Sequence, residues 1–399
     1  MNKRIHFLHT EYASYRDWIV DYFTDKVMHK TTNIFDPWAG TGTLLPIIER
    51  EGKNGLFIDI LPVHFVVNKP KKISFYLYFR QNNIREHNLV EYTFDVLKNL
   101  NHFIPSISDS LFEKKAIEYL VNAWEEAELY GDYITDFIRA IIVLLSRYYA
   151  GFVESLTHSN WLKVGGRPKT IDLKKKISEK VNLYFQYYRE VYRDVDNSAS
   201  VGNIELHCGD FAKFKGDYKF DTIITSPSYR NNTNHYNMYL PELVFLNQVG
   251  FSFEKSSMIG TDIVKDYKKD EFEMDLEYIS NRSPMTYSFI KKVIAVQIEK
   301  SFYYPRIFCR HYGRLFRSIE KCKRYLTKGG TIYVVVQTNV HRGNKNEMAS
   351  FLLDFFQRIG FKSMIADEKQ FPHMGKRNIS RKYPCILDTV PEQIIKATK

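Results

Sequence analysis

Two short segments of this sequence combine chemically useful residues with apolar runs that would position them. The first, residues 36–43, follows the apolar run Ile34-Phe35 and contains Gly40 and Gly42. Glycine adopts backbone angles barred to other residues and lets a ligand approach the main chain. A helix that begins just after the turn would direct N–H groups and a positive dipole end to the same place. The pattern favours binding of a carboxylate or a phosphate.

The second segment is Ser226-Pro227-Ser228-Tyr229, which follows the strand-like run Phe220–Thr225. Hydroxyl and carbonyl oxygens accept hydrogens from an amino group, and an aromatic ring can stack on a planar ligand. In isolation the same four residues also fit an ordinary β-turn, because Ser and Pro are frequent turn residues. Its position at the end of a predicted strand, downstream of the glycine turn, favours the chemical interpretation.

Two carboxylates end further predicted strands. Asp59 lies near the end of the run 55–60 and can accept hydrogen bonds from ribose hydroxyls, while Asp210 ends the run 204–210 and can accept from an adenine amino group. The turn is no Walker loop, because no Gly-Lys-Ser/Thr follows it. The dinucleotide pattern also fails, because Leu45 stands where its third glycine would be.

The string Asp-Pro-Trp-Ala-Gly-Thr-Gly-Thr at 36–43 resembles the motif D-P-F-x-G-x-G-T of the DNA amino-methyltransferases, which use S-adenosylmethionine. Ser-Pro-Ser-Tyr resembles the S-P-P-Y motif of the same cytosine-N4/adenine-N6 family. Trp38 and Ser228 depart from those patterns. The resemblance implies an α/β fold, a Rossmann-like methyltransferase sheet with helices on both faces, here with a mainly helical insertion.

The resemblance also implies roles for individual residues. An exocyclic amine is a poor nucleophile, because its lone pair is delocalised into the ring. The Ser226 side chain and the Pro227 carbonyl would accept its hydrogens, and Tyr229 would stack on the extruded base. The candidate cofactor-binding residues are Asp36, Pro37, Ala39, Gly40, Thr41, Gly42, Thr43, Asp59 and Asp210.

The expected function is therefore transfer of a methyl group from S-adenosylmethionine to the exocyclic amine of a flipped DNA base. Ser at the first position of the second motif resembles cytosine-N4 enzymes more often than adenine-N6 enzymes, so cytosine N4 is weakly preferred. A restriction-modification or defence system, with a cognate nuclease as partner, is the natural context. Two alternatives stay open: a methyltransferase acting on RNA or tRNA bases, and a catalytically silent DNA-binding relative.

Charge points to the same class of partner. The chain has 57 Lys+Arg against 46 Asp+Glu, a net charge of +11, which favours a polyanion such as double-stranded DNA. Basic residues concentrate at 163–180, although a solvated helix face explains them equally well. The candidate nucleic-acid-binding residues are Lys163, Arg167, Lys169, Lys174, Asn231 and His235.

The cysteine spacing and the hydropathy of the chain restrict the class of protein further. The four cysteines include no CxxC pair, so we expect no metal site or disulfide framework. We expect no membrane span and a cytoplasmic location. Three regions are predicted: 1–62, the first part of the catalytic core; 63–202, a mainly helical insertion that contacts the target; and 203–399, the second part, with a loop-rich insertion at about 230–304. Ile73–Phe79 and Tyr383–Leu387 are predicted as strands.

Overall fold

The computed structural model describes residues 15–101, 103, 111–150, 152–154, 162–164, 171–195, 201–227, 235–259, 266–295, 303–341, 344–372 and 389–399. The strands in these residues are β1 (Asn33–Asp36), β2 (Asn54–Asp59), β3 (Phe152–Glu154), β4 (Leu162–Val164), β5 (Ile204–Cys208), β6 (Phe220–Thr225), β7 (Leu326–Gln337), β8 (Asn339–His341), β9 (Asn344–Asn346), β10 (Lys362–Pro372) and β11 (Thr389–Thr398).

The helices are α1 (Asp17–Lys26), α2 (Leu45–Arg50), α3 (Pro62–Asn68), α4 (Ile73–Gln81), α5 (Glu86–Leu97), α6 (Lys114–Glu126), α7 (Asp132–Tyr149), α8 (Leu173–Val191), α9 (His235–Met238), α10 (Leu240–Gln248), α11 (Lys269–Arg282), α12 (Pro284–Ala295), α13 (Tyr303–Tyr325) and α14 (Met348–Arg358). Short 3-10 helices join several of them, including Lys69–Lys71 between α3 and α4.

A seven-stranded sheet has the order β10-β11-β7-β6-β1-β2-β5. The pairs β1/β6, β6/β7 and β2/β5 are parallel, whereas β11 runs antiparallel to both β7 and β10. The sheet is therefore mostly parallel, and helices flank it. This confirms an α/β structure that is consistent with a Rossmann-like fold. The strands predicted from the runs at 34–35, 55–60, 204–210 and 220–225 correspond to β1, β2, β5 and β6.

The chain divides into two compact units: unit 1 comprises Met1–Lys30, Ala39–Gly209 and His235–Phe253, and unit 2 comprises Thr31–Trp38, Asp210–Asn234 and Glu254–Lys399. In unit 1, helix α7 lies at the centre and packs against α3, α5, α6, α8 and α10. Its residues Phe137, Ile138 and Ile141 are fully buried because apolar side chains cover most of its circumference. The described elements of residues 69–202 are helices α4–α8, 3-10 turns and the hairpin β3–β4.

In unit 2, helix α14 packs on strands β7, β10 and β11, and helices α11–α13 pack against one another. Ile34 and Phe35 of β1 are fully buried, as a strand covered on both faces requires. Helix α13 contributes Phe316, whose ring stacks on Phe355 of α14 at a centroid distance of 4.2 Å. Helix α14 ends before Gly360, whose φ of +87° suits the left-handed residue that commonly follows a helix.

The predicted strand at 73–79 is wrong, because these residues form helix α4. Phe75 and Phe79 lie four residues apart on one helix face, and they contact Tyr133 and Phe137 of α7. Aromatic residues favour strands in general, but here the tertiary contacts decide. The predicted strand Tyr383–Leu387 lies outside the described residues.

The predicted loop-rich insertion at 230–304 is wrong in its described part, which contains α9, α10, α11 and α12. Helix α11 buries only Asp275 and Ile279, so its sequence lacks an apolar stripe. Asp275 instead accepts hydrogen bonds from the Tyr267 hydroxyl, at 2.6 Å, and from Arg317 of α13, at 2.5 Å. A helix held by polar contacts of this kind shows no hydrophobic periodicity in its sequence.

Candidate functional site

In unit 2, buried Asp36 joins the ends of strands β1 and β6. Its Oδ1 accepts hydrogen bonds from the Thr225 hydroxyl, at 2.7 Å, and from the Trp38 N–H, at 3.1 Å. The strands pair in parallel with Ile34 opposite Thr222. Their carboxyl ends therefore lie side by side, and the segments that begin at Pro37 and at Ser226 leave the same edge of the sheet.

The opposite end of this strand pair is also fixed. Asp221, at the start of β6, accepts hydrogen bonds from the N–H groups of Thr32, at 2.8 Å, and Asn33, at 3.0 Å, and from the Thr31 hydroxyl. A shift of the β1/β6 pairing by one residue would break both these hydrogen bonds and those of Asp36. The register that brings the two strand ends together is therefore specified by side chains at both ends of the pair.

In unit 1, the glycine turn requires glycine at two positions. Gly40 and Gly42 have φ values of +53° and +65°, in the region that side chains disfavour. A Cβ on Gly42 would lie 2.9 Å from Asn68 Nδ2. Backbone bonds from Gly42 N–H to the Ala39 carbonyl and from Ala39 N–H to the Ile58 carbonyl, each 2.9 Å, close the turn. Helix α2 begins at Leu45, close to the predicted start.

Asp59, the last residue of β2, binds the glycine turn directly. Its Oδ2 accepts the Gly40 N–H at 2.7 Å, and its Oδ1 accepts the Leu61 N–H at 2.8 Å and lies 3.1 Å from His64 Nδ1. Burial raises the pKa of Asp59, but His64 and the two N–H groups outweigh burial and hold that pKa below its ordinary value. A carboxylate oxygen accepts two hydrogen bonds, so Oδ2 keeps capacity for a hydroxyl beside the Gly40 N–H.

The other face of the glycine turn is held by side chains that the sequence did not reveal. Asn68 Nδ2 donates to the Gly40 carbonyl at 2.9 Å, and Lys71 Nζ donates to the Thr41 carbonyl. Thr41 is buried, and its hydroxyl lies 3.3 Å from that of Thr43. Asn68 and Lys71 belong to no motif, and they lie 28 and 30 residues from the carbonyls that they bind. Only the fold brings them to the turn.

In unit 2, Asp210 forms a tight turn after the end of β5. Its Oδ1 accepts the Ala212 N–H at 2.8 Å, and the next residue, Phe211, is buried against Phe35 at a centroid distance of 5.4 Å. Lys321 of α13 donates to the carbonyls of Phe211, Ala212 and Phe214 at 2.6, 2.8 and 2.7 Å. One lysine therefore fixes the backbone that presents the half-buried Asp210 side chain.

The structure describes only the first two residues of the second motif, Ser226 and Pro227. Ser226 is half-buried and Pro227 is buried, directly after Thr225. Ser228, Tyr229 and Asn231 lie outside the described residues, as does the side chain of His235, the first residue of α9. The predicted stacking role of Tyr229 remains a prediction.

The segment that follows the second motif is anchored within unit 1. Arg147 of α7 donates to Glu242 of α10 from Nε, at 2.6 Å, and to the Met238 carbonyl, at 2.7 Å. Glu242 is 1% exposed, so its carboxylate is shielded from water and depends on Arg147 as its partner. It fixes α10 on the helical region of the unit.

The predicted nucleic-acid-binding residues are only partly described. Lys174, on the first turn of α8, is exposed, with its Nζ 2.7 Å from Glu91 Oε1. Lys163 lies in strand β4, and its side chain is not among the described ones. Arg167 and Lys169 lie outside the described residues. A phosphate-binding role for these lysines and arginines is still a prediction.

Within the described ranges, no group of three or more His, Cys, Asp or Glu side chains is placed to hold a metal ion, and no helix there is long and apolar enough to cross a membrane. Cys309, His311 and Cys322 lie in α13. Neither a scan against protein-family models nor a search of curated proteins yields a match to this chain.

Proposed function

We propose that this chain is an S-adenosylmethionine-dependent DNA methyltransferase acting on an exocyclic amine, with cytosine N4 weakly preferred over adenine N6. The sheet would then be of the Rossmann-like methyltransferase type. A restriction or defence nuclease is the expected partner. The observation that carries the proposal is the hydrogen bond between Thr225 and Asp36, which ties together the strand ends that lead into the two motifs.

The position of that bond in the sheet supports a ligand site. In chain order the strands proceed from β1 to β2 and β5 on one side, and from β6 to β7 on the other. The direction of progression reverses between β1 and β6. In open α/β sheets, ligands bind beyond the carboxyl ends of the strands at such a reversal. Asp36 and Thr225 are the last residues of the two strands at this reversal, within unit 2.

The residues of the glycine turn fit the proposed cofactor. The positive φ angles of Gly40 and Gly42 require residues without a side chain, and glycine there lets the methionine moiety of the cofactor approach the main chain. Asp59 Oδ2 has capacity for a ribose hydroxyl, and the Asp210 carboxylate would accept from the adenine amino group. When bound, S-adenosylmethionine supplies an electrophilic methyl group.

The target turn would prepare the amine. The Ser226 hydroxyl and the Pro227 carbonyl would accept the amine hydrogens, which favours a pyramidal nitrogen whose lone pair is available. Tyr229 would stack on the base, contributing about 1–3 kcal/mol against the few kcal/mol that extrusion from the duplex costs. No strong general base is needed, because the product ammonium loses its proton readily.

The test is transfer of a tritiated methyl group to duplex DNA, followed by mass spectrometry of the nucleosides. We expect label in DNA, as N4-methylcytosine in preference to N6-methyladenine, and none in tRNA. Label confined to tRNA would identify the RNA enzyme. Binding of S-adenosylhomocysteine and DNA without transfer would identify the silent relative.

A matched pair of variants tests the role of the target turn. Ser226→Ala should lower kcat by about a hundredfold, the cost of removing one hydrogen-bond partner of the reacting group. Ser228→Ala, two residues away with no proposed contact to the amine, should retain activity. Affinity for S-adenosylhomocysteine should change in neither. Equal activity of the two variants would contradict the assignment of Ser226.

A further inference from the structure

The glycine turn of unit 1 is held through its carbonyl groups by two buried side chains. Asn68 Nδ2 donates to the Gly40 carbonyl, and Lys71 Nζ donates both to the Thr41 carbonyl and to Asn68 Oδ1, at 3.0 Å. Asn68 is 3% exposed and Lys71 6% exposed. The amide and the ammonium group thus form one connected clamp on two consecutive peptide groups.

The clamp sets the direction of the neighbouring N–H groups. In a planar trans peptide the C=O and the following N–H point in opposite directions. With the Gly40 carbonyl held towards Asn68, the Thr41 N–H points away from Asn68. The bond from Lys71 to the Thr41 carbonyl fixes the next peptide, whose Gly42 N–H donates to the Ala39 carbonyl and closes the turn. The clamp and this backbone bond together set the shape of the main chain that a ligand meets at the turn.

Burial of the Lys71 ammonium group costs free energy, so we ask which contacts of this group offset that cost. Lysine side chains are rarely buried without a carboxylate partner, and burial lowers the pKa of Lys71 to about 7. The described partners of the Lys71 ammonium are a backbone carbonyl and an amide oxygen. A structural role alone would be served as well by an apolar side chain of similar length.

Helix α8 fixes the backbone that carries the clamp. Three of its tyrosine hydroxyls, and that of Tyr192 directly after it, donate to carbonyls of the segment 67–71: Tyr184 to Val67, Tyr188 to Pro70, and both Tyr187 and Tyr192 to Lys71. All four tyrosines are buried. The segment that presents Asn68 and Lys71 is therefore held over its whole length by one helix of the insertion.

We propose that Asn68 and Lys71 are positioning residues for cofactor binding: they hold the carbonyls of Gly40 and Thr41 and so keep the glycine turn in the backbone conformation that receives the methionine moiety of the cofactor. This inference rests on the proposed function. It adds two residues outside both motifs, and it assigns to α8 the role of aligning the glycine turn.

Two variants separate positioning from stability. Asn68→Asp keeps the size of the side chain and its contact with Lys71, now as an ion pair, but it removes the donor to the Gly40 carbonyl. Lys71→Met replaces the ammonium by an apolar side chain of similar length. Lys69→Met is the matched control, because Lys69 lies on the same 3-10 helix and pairs with Asp136, at 3.0 Å, instead of the turn.

The experiment is calorimetric titration of S-adenosylhomocysteine into the whole 399-residue chain, with thermal denaturation of each apoprotein. We expect Asn68→Asp and Lys71→Met to weaken binding about tenfold or more, as loss of one or two hydrogen bonds would, while Asn68→Asp and Lys69→Met melt close to the wild type. In methyl-transfer assays, KM for S-adenosylmethionine should rise with kcat retained.

The outcomes are distinct. If the wild type binds S-adenosylhomocysteine and folded Asn68→Asp binds it equally well, the clamp has no positioning role, although the proposed function stands. If affinity falls only in proportion to thermal stability, the clamp is merely structural and the inference is wrong. If the wild type binds no S-adenosylhomocysteine, the proposed function is removed, and this inference with it.

Discussion

At the scale of residues, the glycine turn depends on the absence of a side chain at Gly42. The Gly42 backbone lies against the Asn68 side chain, and a Cβ there would come within 2.9 Å of Asn68 Nδ2. Asn68 cannot withdraw without losing its bonds to Gly40 and Lys71. Space for the clamp and freedom of the backbone are therefore both reasons for glycine at this position.

Gly42→Ala should reduce affinity for S-adenosylhomocysteine by more than about tenfold, because the added methyl group displaces Asn68 and strains the backbone. Gly250→Ala is the control, since Gly250 also has a positive φ, +92°, but a Cβ there would meet nothing within 4 Å. Both variants should lose about 1 kcal/mol of stability from strain. Calorimetry and denaturant titration measure the two effects; equal affinities of the two variants would contradict the account.

The bond between Thr225 and Asp36 is the second feature at this scale. Thr225→Val keeps the shape of the side chain but leaves a buried carboxylate oxygen short of a donor, so we expect a loss of about 1–3 kcal/mol in the free energy of unfolding. Thr222→Val, in the same strand and equally β-branched, is the control and should cost less. Urea denaturation monitored by circular dichroism measures both. A Thr225→Val variant as stable as the control would show that the bond is not needed to join β1 and β6.

At the scale of elements, Glu49 ties α2 to the first residue of α4 and to Tyr192, the residue directly after α8. This buried carboxyl accepts the Ile73 N–H at 2.8 Å and the Tyr192 hydroxyl at 3.1 Å. Burial raises its pKa from 4.5 to about 7, although these hydrogen bonds and the nearby Lys72 oppose the change. The folded protein therefore holds a proton on Glu49 at pH values where the unfolded chain has released it.

The free energy of unfolding should therefore fall as pH rises from 4.5 to 7. A group whose pKa is higher in the folded protein contributes stability that is fully present below its pKa in the unfolded chain. That stability is lost as pH rises through its pKa in the folded protein. The change amounts to about 3 kcal/mol at about 1.4 kcal/mol for each pH unit. Glu49→Gln should abolish this component, and Glu51→Gln, at the exposed residue directly after the same helix, should retain it. Denaturant titrations across this pH range measure the slope; a Glu49→Gln profile as steep as the wild type would sink the argument.

Sequence patterns predicted the elements whose own residues are apolar at the right spacing. Strand β1 was predicted from Ile34 and Phe35, and in α8 the buried residues Ile177, Val181 and Tyr184 lie three and four positions apart, as a helix with one apolar face requires. Helix α11 was missed because its buried face depends on Asp275, whose partners are distant in sequence. For the same reason the two motifs were visible whereas the clamp of Asn68 and Lys71 was not, since a contact across 30 residues leaves no local pattern.

At the scale of the whole molecule, the net charge of +11 is a property that no single site carries. Binding of a polycation surface to DNA releases counterions, so affinity falls steeply with salt, by about 0.9 in the log–log slope for each phosphate contacted. Exposed lysines that touch phosphates should therefore change this slope, whereas exposed lysines elsewhere should not. The distinction can be made with two lysines that are each paired to a glutamate in the free protein.

Lys174→Met should reduce the slope of log affinity against log salt for duplex DNA by about 1, because the phosphate contact proposed for the first turn of α8 would be lost. Lys114→Met, at the first turn of α6, is the matched control: Lys114 Nζ lies 3.7 Å from Glu118, and its side chain is 90% exposed. Its slope should equal that of the wild type. Fluorescence anisotropy of a labelled duplex over a series of salt concentrations measures the slopes. Identical slopes for both variants would move the DNA-binding surface away from α8, because removing a cation that contacts phosphate cannot leave counterion release unchanged.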